Sequence, residues 1–137
     1  MKKQILSSGK RKEAISRAIV KEGKGVIRVN SNLLDNFRPI YAREKIKQPL
    51  RLAEDVIDLG KIDISVTVKG GGTMGQADAV ACSIARGLIE YTENDELYNK
   101  ILKYDRTLIA GDHRQTEVHK PSQSSKGPRH KRQKSYR

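Results

Sequence analysis

Lys61-Ile62-Asp63-Ile64-Ser65-Val66-Thr67-Val68-Lys69, then Gly70-Gly71-Gly72-Thr73-Met74-Gly75-Gln76, then Ala77, Val80, Ala81, Ile84, Ala85, Leu88 and Tyr91 at helical spacing decide the fold of this 137-residue chain. The first part alternates without fault: Ile62, Ile64, Val66 and Val68 share one face of a strand, and Asp63, Ser65, Thr67 and Lys69 share the other. The last part is a helix whose apolar stripe is narrow and made of small residues, suited to lying close on a sheet. Glycines between them permit a tight exit from the strand, and Thr73 with Gln76 has the spacing of a capping box. Backbone amides at such a helix start can hold a phosphate. No Lys followed by Ser or Thr closes the run as a P-loop needs, and no G-x-G-x-x-G with a later ribose acid is present. A structural role or contact with a ribose–phosphate backbone is therefore favoured over a nucleotide cofactor.

Upstream, Lys12–Lys21 and Gly25–Asn30 are rich in β-branched and small residues, and Glu22-Gly23-Lys24-Gly25 between them has two glycines. This pattern predicts a hairpin, preceded by a short strand at Gln4–Ser7. Leu33–Phe37 predicts a helical turn. Ile46, Leu50, Ala53 and Ile57 then recur at helical spacing, with Pro49 expected to divide the region into two short helices. Downstream, Asn94 is placed to cap a helix running to about Tyr104, with Asp95 and Glu96 set against the positive end of its dipole. These elements predict an α+β fold in which a mainly antiparallel, four-stranded sheet is covered by helices on one face. The other face is left free.

The single cysteine, Cys82, excludes an intrachain disulfide, and its neighbours Ala81, Ile84 and Ala85 mark it as a small buried residue. A reducing cytoplasm and a protein that is not exported are expected, since no run of eighteen apolar residues and no signal-type N-terminus occur. His113, His119 and His130 stand too far apart, with too few acids, for a zinc site. Asp55, Asp58 and Asp63 are scattered, and no Ser or Cys sits on a nucleophile turn near a His. The expectation is a protein without metal, cofactor, small-molecule substrate or catalytic centre.

Charge is what the composition singles out. The chain carries a formal +12, and residues 118–137 alone hold seven Lys and Arg and no acid. Such a segment cannot bury enough surface to offset its ordering entropy, so it is expected to be an extended arm that orders on a polyanion. A boundary follows: a globular body at 1–111 and a basic tail at 112–137. A second cationic cluster, Lys10, Arg11, Lys12, Arg17, Lys21, Lys24 and Arg28, falls near the N-terminus. Lysine and arginine release counterions from nucleic-acid backbone, arginine also stacks on bases, and Tyr136 beside Arg137 offers a ring for the same use. RNA is favoured over DNA because no helix-turn-helix, finger or basic zipper pattern appears.

Three stretches carry a resemblance. They are Gly70-Gly71-Gly72-x-x-Gly75-Gln76-x-x-Ala79-x-x-x-Ser83-x-Ala85-Arg86-Gly87-Leu88, Gly9-Lys10-Arg11-Lys12-Glu13-Ala14-Ile15-Ser16-Arg17, and the terminal Gln133-Lys134-Ser135-Tyr136-Arg137. In that order they resemble the family of universal small-subunit ribosomal protein nine, over essentially the whole chain. The Tyr-Arg ending, Tyr104-Asp105-Arg106-Thr107-Leu108 and Asp112-x-Arg114-x-x-Glu117 resemble its archaeal-type members.

The resemblance implies the fold of the second domain of ribosomal protein five, with a left-handed βαβ crossover that general handedness rules do not predict. It implies a body bound to ribosomal RNA in the head of the small subunit, among other head proteins, and a tail that reaches the peptidyl-site tRNA. Implied ribosomal-RNA contacts are Lys10, Arg11, Lys12, Arg17, Arg86 and Arg114, with Lys120, Lys126, Arg129, Lys131 and Arg132 in the tail. Lys134, Tyr136 and Arg137 are the implied tRNA contacts, and Gly70, Gly71, Gly72, Gly75 and Gln76 form the family's signature loop. Relatives are richer in Gly and Arg where this chain reads Lys120–Pro128. Two other readings stand beside this one, a small-molecule kinase-like enzyme using the glycine loop for nucleotide phosphate, and a free RNA chaperone. Binding of ATP with magnesium distinguishes the first, and sedimentation apart from small subunits the second.

Overall fold

The computed structural model describes residues 3–118. Five strands, β1 (Gln4–Arg11), β2 (Ala14–Glu22), β3 (Ile27–Val29), β4 (Asn32–Leu33) and β5 (Ile62–Lys69), combine with four helices, α1 (Ile40–Glu54), α2 (Thr73–Thr92), α3 (Asp95–Tyr104) and α4 (Thr107–Ala110). Strands lie in the order β1-β2-β5-β3-β4. Three neighbouring pairs are antiparallel, and β3 with β5 is parallel, joined through α1. The fold is α+β as expected, but the sheet is mixed and five-stranded instead of four-stranded and mainly antiparallel.

The difference comes from one misplaced hairpin. Glu22-Gly23-Lys24-Gly25 does not fold β2 back onto β3, because β5 enters between them and takes β2 on one edge and β3 on the other. The real hairpin is β1–β2, in which Arg11 pairs with Ala14 across a two-residue turn, Lys12-Glu13. Lys12 takes a positive φ of 52° there, as tight hairpin turns require even without a glycine. Residues 22–26 are instead held by Asp63, whose carboxylate accepts the backbone N–H groups of Lys24 at 2.8 Å and Val26 at 2.9 Å. A similar turn at Asn30-Ser31 adds β4, and the Asn30 side chain brackets β5 by bonding Val68 N–H and C=O at 2.9 and 3.2 Å.

Accepting these N–H groups holds the Asp63 carboxyl below the usual carboxylate range. A depressed folded-state pKa contributes stability that is complete above about pH 4, the unfolded value, and is lost as pH falls through the lower folded one. Asp63→Asn keeps an acceptor oxygen without the titration. Its urea midpoint, followed by circular dichroism, is therefore expected to change less than that of the native protein between pH 4 and pH 2. Parallel acid dependences would refute this.

α2 is the centre of the body. Val80, Ile84 and Leu88 pack into a core with Val20, Ile46, Ile64, Leu97 and Ile101, all fully buried. A second face, Ala79, Ser83 and Gly87 at four-residue spacing, is equally buried and lies on β1 and β2. Ser7 Oγ donates to the Ser83 carbonyl at 2.7 Å, and Ser16 Oγ donates to the Ala79 carbonyl at 2.6 Å. The helix thus meets the sheet backbone to backbone, with no large side chain between them.

α1 runs unbroken from Ile40 to Glu54 with Pro49 inside, where two short helices were expected. Proline forgoes one helical hydrogen bond. Burial of Ala42, Ile46, Pro49, Leu50 and Ala53 against the core offsets that loss. The expected capping box is also absent: Gly72 is the N-cap of α2 with no side-chain bond, Thr73 is already helical, and Gln76 Nε2 reaches the Gly70 carbonyl at 3.1 Å. At the start of α3, Asn94 caps as predicted, accepting from Glu96 N–H at 2.8 Å. Cys82 is buried, and that burial pushes its thiol pKa up.

Candidate nucleic-acid interface

Strand parity sorts the basic motif into two populations. On β1 the residues Ser7, Gly9 and Arg11 face the helices, whereas Leu6, Ser8 and Lys10 face away. On β2, Ser16 and Ala18 are covered and Arg17 is exposed. Among the described residues no helix covers the outward face, and the register lays its side chains out in rows. Lys10 stands opposite Ile15 and Ile15 opposite Lys69; Ser8, Arg17 and Thr67 form the next row. Leu6, Ile19, Ser65, Arg28 and Leu33 form another, and Gln4, Lys21 and Asp63 the last. With strands about 4.8 Å apart, Lys10 and Lys69 flank Ile15 at roughly 10 Å from each other.

Lys10, Arg17, Lys21, Arg28 and Lys69 form no ion pair among the described residues. Asp63 is the one acid in these rows, and it is occupied by the 22–26 loop. Cations that form no ion pair among the described residues, interleaved with the exposed apolar side chains Leu6 and Ile15, make a surface that can meet phosphates and the flat sides of sugars or bases. Lys69 belongs to this surface although the basic motif does not contain it. Its place on the polar side of the β5 alternation was the signal.

Arg11, Arg86 and Arg114, grouped by sequence with the RNA contacts, have partners inside the protein. Arg11 pairs with Asp112 and lies 3.5 Å from Asp78, which also takes Lys45 at 2.5 Å. Arg86 donates to the Ile109 carbonyl at 2.7 Å and the Ser8 carbonyl at 2.9 Å. Arg114 chelates Asp112 through its guanidinium at 2.7–3.1 Å and its backbone N–H at 2.8 Å. Those bonds, with the charge of Arg11 beside them, hold the Asp112 carboxyl well below the usual carboxylate range.

Lys12 is exposed at the hairpin tip, beside the signature loop. Gly70 and Gly71 take φ of +78° and +66°, and a Cβ on Gly70 would stand 2.5 Å from the Glu13 carbonyl oxygen. These glycines let the strand exit close against the hairpin turn. Past α4, residues 111–118 form neither helix nor strand, and Thr116 comes to the cleft between the hairpin tip and the start of α2. Lys120, Lys126, Arg129, Lys131, Arg132, Lys134, Tyr136 and Arg137 lie outside the described residues, as do His119 and His130. Among the described residues no group of His, Cys, Asp or Glu is arranged to hold a metal ion, and no helix is long and apolar enough to cross a membrane.

A model of the family described as ribosomal protein S9/S16 matches residues 9–137. The small ribosomal subunit protein uS9 of Methanococcus vannielii is 49% identical over 135 residues, spanning 98% of this chain and 99% of its own length. Its counterparts in two strains of Methanococcus maripaludis are each 48% identical over the same extent.

Proposed function

The chain belongs to the ribosomal protein S9/S16 family, and on that premise we propose that it is a structural constituent of the small ribosomal subunit in the cytoplasm, supporting translation by binding and positioning, not turnover. The body, 1–111, binds ribosomal RNA in the head through the uncovered face of the sheet and the hairpin tip, among neighbouring head proteins. The basic tail, 112–137, passes through RNA to the decoding region, where Lys134, Tyr136 and Arg137 meet the peptidyl-site tRNA.

The observation that carries the body's part is the set of five cations on a sheet face that, among the described residues, no helix covers and no ion pair engages. The tail's part is supported by seven Lys and Arg without an acid over residues 118–137, and by the match extending to residue 137. A kinase-like reading is disfavoured by the signature loop, whose Gly70 and Gly71 are engaged against the hairpin turn.

Deletion of Gln133–Arg137 tests the tail. Charge-assisted hydrogen bonds contribute about 1.5–3 kcal/mol each, so losing the terminal basic contacts is expected to raise the off-rate of tRNA from the small subunit about tenfold or more. Folding of the body, measured by thermal melting, is expected to stay unchanged. Equal tRNA off-rates for intact and shortened subunits would refute the tail's role.

A further inference from the structure

We infer that Arg11, Asp112 and Arg86 are positioning residues that clamp the root of the tail and so set where it leaves the body, an inference that rests on the proposed reach of the tail to tRNA. Arg11 projects from the helix-covered side of β1, away from the open face that carries Lys10 and Arg17. Its side chain is 16% exposed and that of Asp112 13%, so the pair is shielded, unlike the long side chains of a solvated surface. Asp112 in turn orients the next stretch of chain by accepting the Arg114 backbone N–H and guanidinium. From the other side Arg86 ties the Ile109 carbonyl, one turn earlier, to the Ser8 carbonyl on β1. Gly111 lies between the two anchors, with a φ of +81° and its Cβ position 3.4 Å from the Arg86 guanidinium.

Hairpin, central helix and tail root are thereby locked together on the flank where Thr116 passes the start of α2. A segment held at its base searches a smaller volume for its distant contact, which raises its effective concentration there. Arg11 and Arg86 act through the tail instead of touching RNA themselves.

Asp112→Asn separates this role from direct RNA contact, because it removes one of the two acids beside Arg11 and leaves only Asp78, at 3.5 Å. If Arg11 bound RNA, loosening its hold in this way would leave tRNA and RNA binding equal or tighter. The clamp predicts the reverse: a tRNA off-rate raised about tenfold or more, in line with losing one charge-assisted pair. In the free full-length chain, with Cys82→Ala, spin labels at Lys21→Cys and Thr116→Cys report the clamp without tRNA. Their distance distribution is expected to be narrow natively and broader with Asp112→Asn. An off-rate unchanged or slower in Asp112→Asn, or a distribution of unchanged width, overturns the clamp. Should deletion of Gln133–Arg137 leave tRNA retention intact, the proposed reach of the tail fails, and the spin-label widths still decide the clamp by themselves.

Discussion

Gly9→Ala is expected to destabilise the body by about 3 kcal/mol or more, at the upper end of what overpacking costs. The methyl group would stand 2.2 Å from the Ala79 carbonyl oxygen and 2.7 Å from the Ser83 nitrogen, both backbone atoms of α2. Neither can rotate away, so the helix must lift from β1 as a unit. Lifting it stretches the Ser7–Ser83 and Ser16–Ala79 bonds and opens the core around Val80, Ile84 and Leu88. For a domain of this size each kcal/mol corresponds to roughly 4–8 °C, so the melting temperature should fall by more than about 12 °C. Gly72 is the control: a Cβ there meets nothing within 4 Å and its φ is −100°, so Gly72→Ala should cost only the N-cap preference for glycine over alanine, about 1 kcal/mol. A Gly9→Ala protein melting within 3 °C of native would sink the close-packing account.

Gly9, Ser83 and Gly87 stand in the stretches through which the chain resembles its family, and the structure gives them a packing reason. Gly87 mirrors Gly9, since its Cβ would meet Val20 at 2.7 Å and Ser7 Oγ at 2.8 Å. An apolar-periodicity reading overlooks this seam, because Ala79, Ser83 and Gly87 are too small or polar to register as a stripe. What periodicity sees well is β5 and the apolar side of α2, where each residue's environment follows from its immediate neighbours. Strand partners are different. The glycines of 22–25 are a genuine local turn signal, but whether β3 returns to β2 depends on β5, more than thirty residues later. Pro49 errs in the same direction, a local penalty overridden by the core.

The candidate interface was half legible for a related reason. Reading Gly9–Arg17 as one basic motif groups Lys10 with Arg11. Once β1 extends through Arg11, alternation alone puts the two on opposite faces, Lys10 outward and Arg11 beneath the helices. A cation's function here is set by strand parity before it is set by charge. Arg86 is engaged by the Ile109 carbonyl at the tail root, which sequence could not place beside it.

Replacing Lys10, Arg17 and Lys69 together with Gln is expected to weaken binding of the full chain to a transcript of the small-subunit head RNA by about a hundred- to a thousandfold at 0.1 M salt. Each cation that neutralises a phosphate contributes about 0.7–0.9 to the slope of log K against log salt, so three missing contacts make the slope shallower by about 2–3. Counterion release vanishes near 1 M, where the native and substituted lines should therefore converge. The tenfold step down to 0.1 M opens the gap to two or three decades. All three side chains are exposed on the uncovered face and none forms an ion pair among the described residues, so the body's melting temperature should change little. Charge alone is controlled by Arg51, Lys100 and Lys103 on α1 and α3, the helical side of the molecule, where the same three-to-Gln change leaves the net charge equally reduced. If the face is the binding surface, that control keeps a slope within about one unit of native. Equal loss of slope from both triples would mean that the body attracts RNA through its net charge, with no face preferred, and the open sheet would then have no special part in holding it.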